Sequence, residues 1–200
     1  MEYLDMPPKA KFTKKEIIDA ALSIVREDGL DSLTARALGA KLGSSARPVF
    51  TIFQSMEEVQ QEAVAAAKQL YGDYVNMGLS QKEIPAFKGV GMQYIRFALT
   101  EPKLFQILFM SQPKQKPTVM NVLPIIDDNY LQILSSIENS YSLNQSHSEW
   151  LYRHLWIYTH GIAVLCATNM CTFSTEEIEK MLTEVCSSML KNINFNYSKK

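Results

Sequence analysis

Three times in this 200-residue chain a serine or threonine stands three residues ahead of a glutamate at the head of an apolar-periodic run: Thr13 with Glu16, Ser55 with Glu58, and Ser174 with Glu177. In such a box the hydroxyl accepts from the amide three residues on, and the carboxylate accepts from the amide of the hydroxyl residue. Two of the unpaired donors at a helix start are satisfied at once. After the first box, Ile17, Ile18, Ala21, Ile24 and Val25 recur at helical spacing until Gly29 offers a left-handed stop. Runs that alternate with period two are scarce. The pattern predicts an all-α chain of about nine helices.

The remaining segments read the same way. Leu30 to Leu33 is a short apolar connection, and Thr34 caps a helix with Ala35, Leu38 and Leu42 on one face, ended by Gly43. The helix after Ser55 should end before Gly78. Pro85 suits the first turn of the next helix, and Thr100 to Pro102 ends that one and starts another. Ser111 to Thr118, polar and twice broken by proline, reads as a loop. One long helix should follow with Ile126, Tyr130, Ile133, Leu134 and Ile137 on its buried face, closed by Asn139 to Ser146. Ser146 or Ser148 then caps an apolar helix over roughly Glu149 to Ala167. Ser174 opens the last helix, and the tail Asn192 to Lys200 should fray.

With 46% hydrophobic residues the chain can bury a sizeable core, and its net charge of −1 excludes a general attraction to polyanions. Three cysteines, Cys166, Cys171 and Cys186, are odd in number and lack a CxxC pair, which points to small buried thiols of a reduced, cytoplasmic protein. The first residues lack the apolar stretch of a signal peptide, and no run reaches the length of a membrane span. Enzyme chemistry finds no support: there is no Gly-rich phosphate loop, no GxSxG and no Glu-x-x-His pair. His147, His154 and His160 do not share a metal-binding spacing, so neither metal nor cofactor is expected.

Two short helices joined by a Gly-containing turn, beside a capped first helix, fit a three-helix DNA-binding unit. Thr34 to Leu42 is the supporting helix and Ser45 to about Phe53 the recognition helix. With Ser45 as N-cap, Pro48 falls in the third helical position, where its missing amide proton has no intrahelical partner to lose. Ala46, Arg47 and Thr51 then lie outward while Val49 and Phe53 anchor inward. Arg47 could read a guanine edge, and Thr34, Arg36, Ser45 and the lysines Lys9, Lys11 and Lys14 could meet phosphates. Residues 1–55 hold eight Lys/Arg against seven Asp/Glu, a net of +1 and a weak electrostatic footprint.

From about Phe12 to Val59 the stretch IIDAALSIVREDGLDSLTARALGAKLGSSARPVFTIFQSMEEV resembles the N-terminal domain of the TetR family of transcriptional regulators. Tyr94 to Phe109 (YIRFALTEPKLFQILF) and Leu155 to Leu165 (LWIYTHGIAVL) resemble a TetR C-terminal subtype marked by Trp-x-x-x-His-Gly, here Trp156, His160 and Gly161. The resemblance implies a helix-turn-helix DNA-binding domain over 1–54 and a ligand-binding, dimer-forming helical bundle over 55–200. It implies a repressor that holds a palindromic operator as a homodimer and is released by a small apolar or amphipathic effector. The aromatic and methionine side chains Tyr94, Phe97, Phe105, Phe109, Met120, Trp156 and His160 can line the pocket. Leu155, Ile162, Leu165, Ile178, Leu182, Val185 and Met189 can form the dimer interface. Members commonly carry tyrosine where Phe50 stands, tyrosine or histidine at Ile52, and lysine at Met56. Each phosphate left without a partner there should flatten the salt dependence of binding by about one unit of slope. A second reading stands beside the first: a helical ligand-binding or protein-interaction module with weakened or lost DNA binding.

Overall fold

The computed structural model describes residues 11–81, 83–112 and 116–197. The expected phosphate contact Lys9, the middle of the Ser111–Thr118 loop and the last three residues of the tail lie outside them. Among the described residues there are nine α-helices and no strand: α1 (Lys14–Asp28), α2 (Ala35–Lys41), α3 (Met56–Leu79), α4 (Ala86–Thr100), α5 (Pro102–Phe109), α6 (Val122–Ile126), α7 (Tyr130–Tyr141), α8 (Gln145–Ala167) and α9 (Thr175–Tyr197). Two 3₁₀ turns, Leu30–Ser32 and Val49–Thr51, connect the first three. The described residues fall into two compact units that divide between Ala67 and Lys68.

In the first unit the Thr13 box forms as expected: Glu16 N donates to the Thr13 hydroxyl and Glu16 Oε2 accepts from Thr13 N. Ile17, Ala21, Ile24 and Val25 turn one face of α1 inward, and Leu33, Leu38, Val49, Phe53 and Val59 are buried with them. Gly43 adopts φ +62°, the left-handed conformation that stops α2. The Ser55 box forms only in part. Glu58 N donates to the Ser55 hydroxyl, but the Glu58 carboxylate accepts from Gln54 N, one residue earlier than expected.

In the second unit α4 packs against α5, α7, α8 and α9, and α8 against α4, α5, α7 and α9. The core between them includes Val90, Ile95, Phe97, Leu104, Phe105, Ile133, Ile137, Leu151 and Leu155. The Ser174 box is complete, with Ser174 N to Glu177 Oε2 at 2.7 Å and Glu177 N to the Ser174 hydroxyl at 3.1 Å.

Four expectations are corrected here. Gly78 does not stop α3, which runs on to Leu79. Its small size serves packing instead: a Cβ there would lie 2.6 Å from Val90 N, so glycine is what lets α3 and α4 touch backbone to backbone. The long helix expected after residue 118 is two helices, α6 and α7, broken at Asp127. There the Asp127 carboxylate takes the Asn129 amide in a side-chain turn that competes with the helix. Asn144, not Ser146 or Ser148, caps α8 by accepting from His147 N. At the C-terminus α9 continues to Tyr197 through most of the tail expected to fray.

Candidate DNA-contact face and candidate ligand core

The segment expected to be a recognition α-helix is tighter than that. From Val49 to Ile52 each amide donates to the carbonyl three residues back, beginning with Val49 N to Ala46 O at 3.0 Å. Only Phe53 N reaches the fourth, Val49 O. Pro48 brings no amide proton and the segment is short, the circumstances in which a 3₁₀ turn replaces an α-turn. Its position is fixed from below by Gly39 on α2. A Cβ at residue 39 would sit 2.8 Å from Ala46 N and 2.9 Å from Ser45 C. The backbone just ahead of Arg47 therefore rests directly on the α2 backbone, while Val49 and Phe53 are buried.

Thr34, Arg36, Ser45, Arg47 and Thr51 are all exposed and Ala46 is half-buried. Two of these side chains already have local work. Thr34 Oγ1 accepts from Ala37 N as the cap of α2, and the Thr51 hydroxyl donates to Pro48 O at 2.7 Å. Lys14 is engaged elsewhere too, its ammonium 2.6 Å from Glu62 Oε1 and 5.7 Å from the centre of the Phe53 ring. Lys11 donates to the Ser44 hydroxyl at 2.9 Å, which brings a cation to the turn. Phe50 stands 44% exposed beside these polar groups.

In the second unit the structure gathers six of the seven side chains expected for the pocket. Tyr94 lies 5.1 Å from Phe109 and 5.4 Å from Phe105 between ring centres. Trp156 stacks on His160 one helical turn later, 5.0 Å apart and 20° from parallel. Phe97 reaches the group through Tyr71, at 5.5 Å. Met120, 67% exposed, is the one set apart, on the loop ahead of α6. The Tyr94 hydroxyl and His160 Nδ1 are 2.9 Å apart. Burial draws the His160 pKa down, so the ring is neutral at pH 7. Burial drives the Tyr94 phenol far up, Asp127 adds to that, and a hydrogen bond from Trp156 opposes it. The neutral imidazole and the phenol therefore share one proton-bearing contact, with either partner able to donate according to the tautomer.

Three members of this core were not anticipated: Tyr71, Tyr152 and Asp127. The Asp127 carboxylate is 4% exposed and accepts from the Tyr71 hydroxyl (2.9 Å), Asn129 N (2.9 Å) and Asn129 Nδ2 (3.2 Å). Burial raises its pKa above the ordinary 3.8, and the Asn129 amide and the Tyr71 hydroxyl pull it back. A small void of about 20 Å³ lies against it, bordered by Tyr71, Tyr94, Tyr152 and Trp156. Next to that void is a cavity of about 250 Å³ against α9, lined by Leu155, Leu182, Cys186 and Leu190, with Tyr141 and Lys88.

Removing the Tyr71 hydroxyl takes a donor from a buried carboxylate. Tyr71→Phe should cost about 1.5–3 kcal/mol near pH 7. Because the folded carboxyl titrates above its ordinary range, its ionised form is the costly one. The loss should therefore shrink as pH falls through that raised range, and urea midpoints of the two proteins measured against pH should converge on the acid side. Midpoints that stay equally far apart at all pH values would show that the hydroxyl does not act on the charge.

Of the side chains expected at a dimer interface, Leu155, Ile162, Ile178 and Leu182 are buried within the protomer itself. Leu165, Val185 and Met189 are half-buried and remain accessible to a partner. Ile157 on α8, 46% exposed, joins them although its position was not anticipated.

A solved TetR variant from Acinetobacter baumannii AYE, in complex with minocycline, superposes with a TM-score of 0.55, covering 92% of this chain and 97% of that one at 16% identity. The fold is that of TetR. A curated Bacillus subtilis (strain 168) protein, the uncharacterized HTH-type transcriptional regulator YobS, is 22% identical over 175 residues, 86% of this chain and 87% of its own length. No family model matches the sequence. The TetR fold accounts for an all-helical chain whose short N-terminal helices precede a larger bundle. Among the described residues no helix is long and apolar enough to cross a membrane.

Proposed function

We propose that this chain is a TetR-type transcriptional regulator: a homodimeric, cytoplasmic, non-enzymatic repressor that holds a palindromic operator and is released by a small apolar or amphipathic effector. The observation that carries it is the exposed Arg47, held on a turn that is seated backbone to backbone on α2. A guanidinium with no structural task in an ordered turn is suited to a bidentate contact with a guanine edge. Similarity to YobS over 86% of the chain supports the same reading. So does the stacked pair Trp156 and His160, which gives the Trp-x-x-x-His-Gly stretch a physical role in the effector core.

The dimer would use the outward faces of α8 and α9 around Ile157, Leu165, Val185 and Met189, with the exposed Gly161 allowing a close approach. A palindromic operator read by the two segments of a dimer would require them about 34–36 Å apart, one turn of DNA. The effector would act by population shift. Tyr71, a member of the aromatic core, belongs to α3, the helix that starts at Met56 just after the contact segment. A ligand that binds two α3 positions unequally shifts their balance by that difference and no more.

Selection of bound sequences from a random duplex pool should return a palindrome. Arg47→Ala should weaken binding to it about tenfold or more, within the roughly 1–3 kcal/mol of a bidentate pair, and relax the preference at one base pair per half-site. An unchanged preference would remove the assignment of the contact segment. A pool that yields no motif would favour the second reading, a ligand-binding or protein-interaction module, to which the exposed Phe50 and the engaged Lys14 also lend weight. A solution mass of one chain rather than two would exclude the dimer.

A further inference from the structure

The buried charge at Asp127 is the least expected feature of the bundle. Among the described residues bordering the 20 Å³ void it is the one charged side chain. Its donors, Tyr71 and Asn129, are neutral. A carboxylate withdrawn from water and met only by neutral dipoles is left with much of its solvation cost, which an opposite charge offsets more fully. Tyr71, Tyr94, Tyr152 and Trp156 border the void as well, and the face of an aromatic ring attracts a cation. A space of this size admits a small polar head group.

The void and the 250 Å³ cavity have Phe87, Gly91 and Thr159 in common, so the two spaces meet at a shared wall. The larger one is mostly apolar, with Leu155, Leu182 and Leu190 on its sides. Its cation, Lys88, is already 2.9 Å from Glu179 Oε1 and offers no free charge to an acidic ligand.

We propose that the effector is a primary ammonium carrying an apolar body, its NH₃⁺ head seated against Asp127 and its body lying in the cavity beside α9. The proposal rests on the reading above that this bundle binds an effector, and it names the effector's chemical class. The ammonium head is small enough to enter, gives its protons to the carboxylate and the phenol oxygens, and brings the missing charge. A carboxylate head in the same place faces Asp127 and is repelled. A trimethylammonium head carries the charge but has no proton to give to the carboxylate.

Calorimetric titration of the full chain with octylammonium, octanol, octanoate and octyltrimethylammonium tests this directly. Octylammonium should bind at least tenfold more tightly than each of the other three. Asp127→Asn should bring it to the level of octanol. Octanol or octanoate binding as tightly as octylammonium overturns the proposal, and so does a folded Asp127→Asn protein that keeps full affinity. If that variant does not fold, Gly91→Ala takes its place. Its added Cβ would meet Leu182 Cδ1 at 3.5 Å, an ordinary contact, and puts a methyl on the shared wall. It should lower octylammonium affinity at least tenfold, and unchanged affinity overturns the proposal. DNA binding is read separately in the same preparations. A chain that selects octylammonium but binds no DNA retains the site and loses the regulator reading. One that is released from DNA by octanoate does the reverse.

Discussion

Phe97→Ala should lower the stability of the ligand-free chain by about 3–5 kcal/mol, the usual range for removing a fully buried ring. Phe97 has no exposed surface and sits 5.5 Å from Tyr71 and 5.2 Å from Tyr74, ring centre to ring centre. The cavity left behind is bounded by α3 and α4, which already touch at Gly78 and cannot easily close over it. Urea denaturation in the absence of any ligand is the measurement. A loss under about 1 kcal/mol would mean that the ring lines space kept open for an effector rather than filling the core. The burial favours core, and Phe97 is not among the residues bordering the void, as Trp156, Tyr94 and Phe87 are.

Gly39→Ala should separate DNA binding from everything else the chain does. The new Cβ would meet Ala46 N and Ser45 C at under 3 Å, both backbone atoms that no side-chain rotation can move aside. The turn carrying Arg47 has to lift, at a cost in the range of overpacking, about 1–3 kcal/mol or more. Affinity for the selected operator should fall about a hundredfold, roughly 2.7 kcal/mol, with calorimetric binding of octylammonium unaltered. Gly72→Ala on α3 is the matched control, because a Cβ there has nothing within 4 Å. It should be neutral or stabilising by up to about 1 kcal/mol. Wild-type affinity in Gly39→Ala would show that the turn is not held by this approach.

The residues that sequence reading placed well are those whose partners lie within four positions. The boxes at Thr13 and Ser174 form because hydroxyl, carboxylate and amides share one turn, and periodic apolar faces such as Ile17, Ala21 and Ile24 follow from helix geometry alone. Gly78 shows where that reasoning stops. The glycine is visible, but whether it ends a helix or admits a neighbour depends on Val90, twelve residues away on another helix. Asp127 and Tyr71 are 56 positions apart, so nothing local announces their hydrogen bond. A signal did exist: a carboxylate interrupting the apolar run around Ile126 and Tyr130 is out of place on a buried face. The break between α6 and α7 follows from it. Apolar periodicity likewise named Leu155 and Leu182 without saying which surface they meet, and they are buried within their own protomer. The aromatic cluster was readable as a set because its members sit on α4, α5 and α8 at inward positions. The charge at its centre was not.

Phe50 N donates to Arg47 O, so the two residues close one turn of the contact segment, and both side chains are exposed. On the proposed reading, the groove therefore meets a cation and a ring together. The guanidinium takes a guanine edge, and the ring has one base feature to respond to, the 5-methyl group of a pyrimidine. Thymine and 5-methylcytosine present that methyl group alike, so a face built in this way would register chemical marking of the DNA as well as its sequence.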